Sequence, residues 1–137
     1  MKTLIDAIEF ISIKPGADLQ KPPLLIMAPT ANASFIIGGR TIDSALGFSP
    51  ADSNRYTSAD EGQMAMMKFL YEDVKTIIVD EISMVGAKKL AKINYRLQDL
   101  ANGKDKNKFM GGKSFLAVGN FIHTLSDIFM VLSLFFM

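Results

Sequence analysis

The chain has 137 residues, a formal net charge of +1 and no cysteine. This length suits a single domain, the small charge provides no global field that would attract nucleic acid, and the lack of cysteine excludes disulfide frameworks and thiolate metal sites. Because His123 is the single histidine, a histidine-based zinc site is not expected either. The amino terminus reaches Asp6 and Glu9 without the apolar core of a signal peptide, which fits an intracellular protein.

The first third of the chain predicts a strand placed between helices. Apolar residues at helical spacing predict a helix over residues 3–13, which a Pro-Gly pair ends. The apolar run 24–28 predicts a short buried strand. A short helix is expected over 31–37, and another follows it, capped by either Thr41 or Asp43.

The rest of the chain continues the alternation of helices and strands. In order, the sequence predicts a loop over 49–63, a helix over 64–71, a strand over 76–80, a helix over 86–101, a lysine-rich loop over 102–112 and a strand over 114–118. In the helix over 86–101, four basic residues lie mostly away from the apolar stripe, which predicts a solvated face: Lys88, Lys89, Lys92 and Arg96. The alternation favours an α/β fold, with a parallel sheet between flanking helices in three layers.

Two adjacent carboxylates, Asp80 and Glu81, end the most apolar predicted strand. Burying both charges in the sheet would cost several kcal/mol each, so they are expected at its carboxyl edge, where open α/β sheets bind ligands. Such a pair suits magnesium and a water nucleophile, because oxygen ligands bind the hard cation and a base lies beside it. The alternative is a strand that ends in two solvated acids.

Four segments together resemble the petite integration frequency (Pif) family of superfamily-one DNA helicases. Their order and spacing match over about residues 1–123, and the segments are Ala28-Pro29-Thr30, Ile37-Gly38-Gly39-Arg40-Thr41-Ile42-Asp43-Ser44-Ala45-Leu46, Asp80-Glu81-Ile82-Ser83-Met84-Val85 and Gly111-Gly112-Lys113-Ser114 through Phe121. The resemblance implies a RecA-like P-loop domain in an ATP-driven motor that unwinds DNA in the five-prime to three-prime direction. It also implies nuclear roles in repair, recombination and telomere maintenance.

The resemblance assigns the nucleotide site residue by residue. Asp80 would hold the magnesium ion of ATP, Glu81 would polarise the attacking water, and His123 replaces a glutamine that senses the terminal phosphate. Lys2 and Thr3 fall on the lysine and hydroxyl of the phosphate loop, the hydroxyl being a second magnesium ligand, although the glycines and strand before them are absent. The alternative for these two residues is a solvated chain terminus.

The resemblance also implies contacts with single-stranded DNA. Thr30, Asn32 and Thr41 would lie along its backbone. Asn32 replaces a lysine of the family pattern and Asp43 replaces a histidine, and both exchanges weaken the attraction to phosphates. The alternative function is a non-catalytic remnant that binds nucleic acid or another protein through the basic helix face and the 104–113 lysines.

The pattern divides the chain into a partial motor domain over 1–123 and an apolar tail over 124–137. The family's second motor domain, with its transition-state arginine, has no counterpart here. In the family the strand matching 114–118 lies beside the acidic strand, and its other neighbour feeds the phosphate loop. We expect residues 128–136 to cover that open edge or the adjoining face, because the mostly apolar run 128–137 has ten residues, about half of what a membrane span needs. No stable membrane association is expected.

Overall fold

A computed structural model describes residue 6, residues 23–49 and residues 55–119 of the chain. Its regular elements are β1 Leu24–Ala28, α1 Ala31–Ile36, β2 Arg40–Thr41, α2 Ile42–Leu46, α3 Glu61–Leu70, β3 Thr76–Val79, α4 Ala87–Leu100 and β4 Ser114–Ala117. Three short 3-10 helices lie at Ile82–Met84, Gly103–Asn107 and Phe109–Gly112. The predicted helix over 3–13 and the predicted tail over 124–137 lie outside the described residues, apart from residue 6.

The strands form one parallel sheet in the order β2-β1-β3-β4. Leu24 is aligned with Thr76, and Thr76 with Ser114, so β1, β3 and β4 start at the same edge and end at the same edge. The predicted α/β fold with a parallel sheet and flanking helices is confirmed. The neighbour relation between the 114–118 strand and the acidic strand is also confirmed.

Apolar side chains cover both faces of the central strands, which explains their continuous apolar sequence. One face packs against α2, α3 and α4, and its buried residues include Leu25, Met27, Ile77 and Val79. The other face packs against α1, and its buried residues are Leu24, Ala28, Ile37 and Ile78. The described part of the molecule is therefore three layers with β3 at the centre.

Side-chain caps fix the starts of α2 and α3. The hydroxyl of Thr41 accepts from the N–H of Ser44 at 3.2 Å, so Thr41 rather than Asp43 caps α2. Asp60 accepts from the N–H of Gln63 at 2.9 Å and caps α3. The helix predicted to begin at residue 64 therefore begins three residues earlier, since the carboxylate satisfies a free N–H of its first turn.

The strand β2 was not predicted from the sequence. It pairs with Met27 and Ala28 of β1. Its two residues are too few to show any periodic pattern. Gly39 permits this pairing, because a Cβ there would lie 2.6 Å from the carbonyl oxygen of Ile26. Gly39 is therefore required where the chain passes close to β1.

The prediction that Arg96 lies on a solvated face is wrong. Arg96 is only 1% exposed to solvent. Its guanidinium lies 5.3 Å from the ring centroids of both Phe48 and Tyr56. Phe48 and Tyr56 are distant from Arg96 in the chain, so a long-range contact buries a position that periodicity assigns to solvent. Among the described helices, none is long and apolar enough to cross a membrane.

Candidate functional site

The acidic pair leaves the sheet at the carboxyl edge of its central strand. The N–H of Asp80 donates to the carbonyl of Met27 at 2.9 Å, which extends the pairing with β1 by one residue beyond β3. On the other side, the N–H of Val118 donates to the carbonyl of Val79 at 2.9 Å. The carboxylates therefore follow a strand held on both sides, as predicted.

The turn at the acidic pair has an unusual backbone. Glu81 has φ 51° and ψ 41°, the left-handed conformation that non-glycine residues adopt at a cost. The carboxylate oxygen Oδ1 of Asp80 accepts from the N–H of Glu81 at 2.9 Å and stabilises this turn. Asp80 is half-buried and Glu81 is exposed, so the two acids have different surroundings despite their adjacency.

The end of β4 packs closely against this turn. The N–H of Ile82 donates to the carbonyl of Val118 at 2.9 Å. A Cβ on Gly119 would lie 3.0 Å from the nitrogen of Ile82, and the φ of Gly119 is +151°. Glycine is favoured here because a side chain would be crowded against Ile82 and would be strained at this backbone angle. Gly119 also lies within the fourth segment that carries the family resemblance.

Thr30 and Thr41 reach the same edge of the sheet. Ala28, the last residue of β1, is aligned with Thr41, and Met27 is aligned with Val79. The hydroxyl of Thr30 accepts from the N–H of Ala33 at 3.2 Å, and thereby caps α1. Each threonine hydroxyl accepts a capping bond and still carries its own donor hydrogen.

The remaining predicted site residues divide into one that is exposed and three that are outside the described residues. Asn32 lies exposed in the first turn of α1, two residues after Thr30. Lys2, Thr3 and His123 fall outside the described residues. Their assigned roles stay predictions, as do those of Asp80, Glu81, Thr30 and Thr41.

The donor set at this edge fits magnesium rather than a transition metal. Within residues 23–49 and 55–119, no group of three or more His, Cys, Asp or Glu side chains could hold a metal ion. Magnesium is typically bound by one or two carboxylates together with water and substrate phosphates. Asp80 can supply such a ligand, because its hydrogen bond to Glu81 uses only part of the acceptor capacity of the carboxylate.

Asp43 is paired within the fold. Its carboxylate forms an ion pair with Lys89 of α4, whose ammonium also lies 5.1 Å from the centroid of the Phe48 ring. Both groups of the pair are partly exposed. The negative charge of Asp43 is thus balanced locally by the Lys89 ammonium.

Two lysines of the 104–113 segment are also used internally. Lys113 donates to the carbonyl of Val74 at 2.5 Å, and burial lowers the pKa of its ammonium. Lys108 lies 2.7 Å from the carboxylate of Asp105, and its hydrogen bond lowers the pKa of that acid. These contacts connect the loop to the fold, so the segment is not a simple row of free cations.

A parallel sheet with an acidic pair at the carboxyl edge of its central strand is the arrangement expected of a RecA-like α/β domain, and this edge is where open α/β sheets bind ligands. The profile of the PIF1-like helicases matches residues 12–128. The chain belongs to this family. Comparison with curated protein sequences gave no match.

Solved Pif1 structures have the same fold. Unliganded Pif1 from Bacteroides sp matches with a TM-score of 0.61 and 22% identity over 89% of this chain and 25% of that one. Pif1 helicase from Candida albicans matches with a TM-score of 0.61 and 22% identity over 88% of this chain and 25% of that one. Bacteroides Pif1 in complex with ADP-AlF3 and single-stranded DNA matches with a TM-score of 0.56 and 20% identity over 93% of this chain and 29% of that one. The chain thus spans about a quarter of the length of these proteins.

Proposed function

We propose that this chain acts in ATP-dependent unwinding of DNA, as part of the first motor domain of a Pif-type helicase. The observation that carries the proposal is the placement of Asp80 and Glu81 at the carboxyl edge of the central strand, between the ends of β1 and β4. Membership of the PIF1-like family supports it. So does the complex of the related Bacteroides protein with a nucleotide analogue and single-stranded DNA.

In this proposal the two acids have different roles. Asp80, together with Thr3, would hold a magnesium ion, which would neutralise charge on the phosphates of ATP. Glu81 would accept a hydrogen bond from the attacking water and polarise it, a role that suits its exposed position. The left-handed backbone at Glu81 would place the second carboxylate at the rim beside the first.

Lys2 and His123 complete the proposed nucleotide site. Lys2 would bind the terminal phosphates as a point charge, and His123 would donate a hydrogen bond to the terminal phosphate in place of a glutamine. Both roles rest on the family resemblance alone. The five-prime to three-prime direction and the setting in nuclear DNA repair, recombination and telomere maintenance are extensions of the same proposal.

Thr30, Asn32 and Thr41 would contact the backbone of single-stranded DNA. The threonines lie at the ends of β1 and β2, and Asn32 is exposed in α1. Their donors are neutral, so they would position the strand while contributing little long-range attraction. This edge is shared with Asp80, which would connect DNA contact with nucleotide binding.

The alternative of a non-catalytic protein that binds through the basic face has less support. Arg96 is buried, and Lys89 is paired with Asp43. Two of the cations expected on that surface are thus engaged within the fold.

Coupling between nucleotide and DNA tests the proposal, because a motor must bind DNA with different affinity in different nucleotide states. The affinity for a labelled oligothymidylate would be measured by fluorescence anisotropy, with and without magnesium and a non-hydrolysable ATP analogue. We expect the analogue to change this affinity by about fivefold or more, a typical coupling. Asp80→Asn should remove the change and leave the nucleotide-free affinity as it is. An affinity for the oligothymidylate that is the same with and without the nucleotide analogue contradicts the proposal.

A further inference from the structure

Helix α3 carries apolar or small side chains on two sides. Its inner side, which includes Met64, Met67 and Leu70, packs into the main core. On the opposite side, four residues at the spacing i, i+3, i+4 and i+7 are all exposed to solvent: Gly62, Ala65, Met66 and Phe69. We call these four residues the outer face of α3. Only three of the ten residues in the helix are polar.

A helix of this composition is suited to packing on both sides. A helix at the surface of a globular protein has one apolar stripe and a polar opposite face, whereas a helix that is apolar around most of its circumference is buried. In the outer face, Met66 is 66% exposed and Phe69 is 59% exposed. Single exposed apolar residues are ordinary, but grouped ones mark interaction sites. The outer face therefore has the pattern of a helix–helix contact.

An apolar cavity of about 140 Å³ adjoins the outer face. It lies between α2 and α3, and Met66 belongs both to its wall and to the outer face. Ala45, Met67 and Leu70 supply further apolar surface to the wall. A cavity of about 150 Å³ holds a benzene-sized group, whereas typical small-molecule sites begin at roughly 300 Å³. The cavity thus fits a single apolar side chain of a partner rather than a whole nucleotide.

Arg40 is the only charged residue among the described residues that line this cavity. It is exposed, and its guanidinium donates to the hydroxyl of Tyr71 at 3.3 Å and to the carbonyl and hydroxyl oxygens of Ser44 at 3.0 and 3.1 Å. These bonds position the guanidinium and use at most three of its five N–H donors. Within the part of the chain that the structure describes, no carboxylate forms an ion pair with Arg40. A positioned cation therefore lies beside an apolar cavity.

We propose that the outer face of α3 and the adjoining cavity bind an amphipathic helix of a partner protein. The apolar stripe of the partner packs on the outer face, one of its apolar side chains enters the cavity, and a neighbouring acidic side chain pairs with Arg40. Nucleic acid fits this surface less well, because one cation beside an apolar wall does not match a row of phosphates. The inference is independent of the proposed helicase function, since neither nucleotide nor DNA takes part in this binding.

Fluorescence anisotropy of a labelled peptide, titrated with the full chain, tests this docking site. The probe is an amphipathic peptide of about 18 residues, with leucines at helical spacing on one face and glutamates beside them. A second peptide has glutamine in place of each glutamate. We expect saturable binding of the glutamate peptide, with an affinity about threefold above that of the glutamine peptide. This difference should shrink as the salt concentration increases.

Neutral substitutions separate this surface from other exposed apolar residues. Met66→Gln retains the length of the side chain and should weaken the binding of both peptides by about tenfold or more. Phe35→Gln is the matched control, because Phe35 is 86% exposed on α1, on the other side of the sheet. It should leave both affinities unchanged. Arg40→Gln should remove the difference in affinity between the two peptides.

The comparison of the two peptides on the unaltered chain keeps the test decisive if a variant does not fold. The proposal is overturned by the absence of saturable binding below about 1 mM, by equal affinities of the two peptides, or by equal losses in Met66→Gln and Phe35→Gln. Displacement of the peptide by oligothymidylate also overturns it, by assigning the surface to nucleic acid. So does a dimer that analytical ultracentrifugation detects in wild type and not in Met66→Gln, which would assign the surface to a second copy of the chain.

Discussion

The backbone N–H of Asp80 donates to the carbonyl of Met27 at 2.9 Å. This bond joins the first residue after β3 to the strand that leads into Thr30, so a proposed metal ligand and a proposed DNA contact leave neighbouring strands at the same edge. The matching bond from Ile82 to Val118, also 2.9 Å, holds the acidic turn against the end of β4. The acidic turn is therefore anchored on both sides by backbone bonds that do not depend on its side chains.

Glu81 occupies a left-handed conformation that glycine adopts more easily. We expect Glu81→Gly to be more stable than Glu81→Gln by about 1 kcal/mol, because both remove the carboxylate and only one relieves the backbone. Urea unfolding of the two variants measures the difference. Equal stabilities would show that the turn at Glu81 is not strained.

Asn94 connects α4 to the loop before β4. Its side-chain oxygen accepts from the N–H of Met110 at 2.8 Å, and Asn94 and Met110 are both 0% exposed. Asn94→Ala should lower the free energy of unfolding by about 2 kcal/mol, since it leaves a buried N–H without a partner. Gln98→Ala is the matched control, because Gln98 donates to the exposed carbonyl of Lys108 in the same loop at 3.1 Å. The control should cost less than about 0.5 kcal/mol, and similar losses in both variants would contradict the prediction.

Tyr71 should make the free energy of unfolding depend on pH in the alkaline range. Its hydroxyl donates to the carbonyl of Ala45 at 2.6 Å, and burial raises its pKa above the ordinary value of 10.0. The unfolded chain therefore loses this proton first, so the contribution of Tyr71 is complete below about pH 10 and declines at higher pH.

The stability advantage of wild type over Tyr71→Phe, from urea unfolding at pH 7 to 11, should be constant up to about pH 10 and then shrink. An advantage that grows with pH contradicts this sign. Taking the difference between the two proteins cancels the opposite contribution of Lys113, whose pKa is lowered.

Asn32 is the exposed position where the family pattern has a lysine. We expect Asn32→Lys to tighten binding of single-stranded DNA and Asn32→Glu to weaken it, because each changes the charge next to the proposed path of the backbone. The slope of log K against log salt should steepen by about 0.7 in the lysine variant. Lys106→Gln in the loop before β4 lowers the net charge by one, as Asn32→Glu does, and this control should have a smaller effect. If the control matches Asn32→Glu, the strand does not pass α1.

The sequence predicted the features that local patterns determine. The apolar run before Asp80 predicted β3, and its continuous apolar character identified a strand buried on both faces. The acids that follow it predicted the carboxyl edge, since buried charge is costly. Periodicity predicted α4 over 86–101, and the structure has it over Ala87–Leu100.

Features that depend on distant contacts were not predictable in this way. Arg96 is buried because Phe48 and Tyr56, at least forty positions away in the chain, pack on it. The two residues of β2 have no periodic signal and pair only because Gly39 lets the chain approach Ile26. The left-handed backbone at Glu81 was equally unpredictable, since glutamate has no preference for this conformation.

Magnesium-dependent nucleotide binding tests the role of the acidic pair most directly. The affinity of the chain for a fluorescent non-hydrolysable ATP analogue would be measured with magnesium and with EDTA, in wild type, Asp80→Asn and Glu81→Gln. We expect magnesium to tighten binding in wild type and in Glu81→Gln, because Glu81 acts on water rather than on the metal. In Asp80→Asn this gain should fall by about tenfold or more. A magnesium effect that survives in Asp80→Asn, or that is lost equally in both variants, would contradict the assignment of the metal to Asp80.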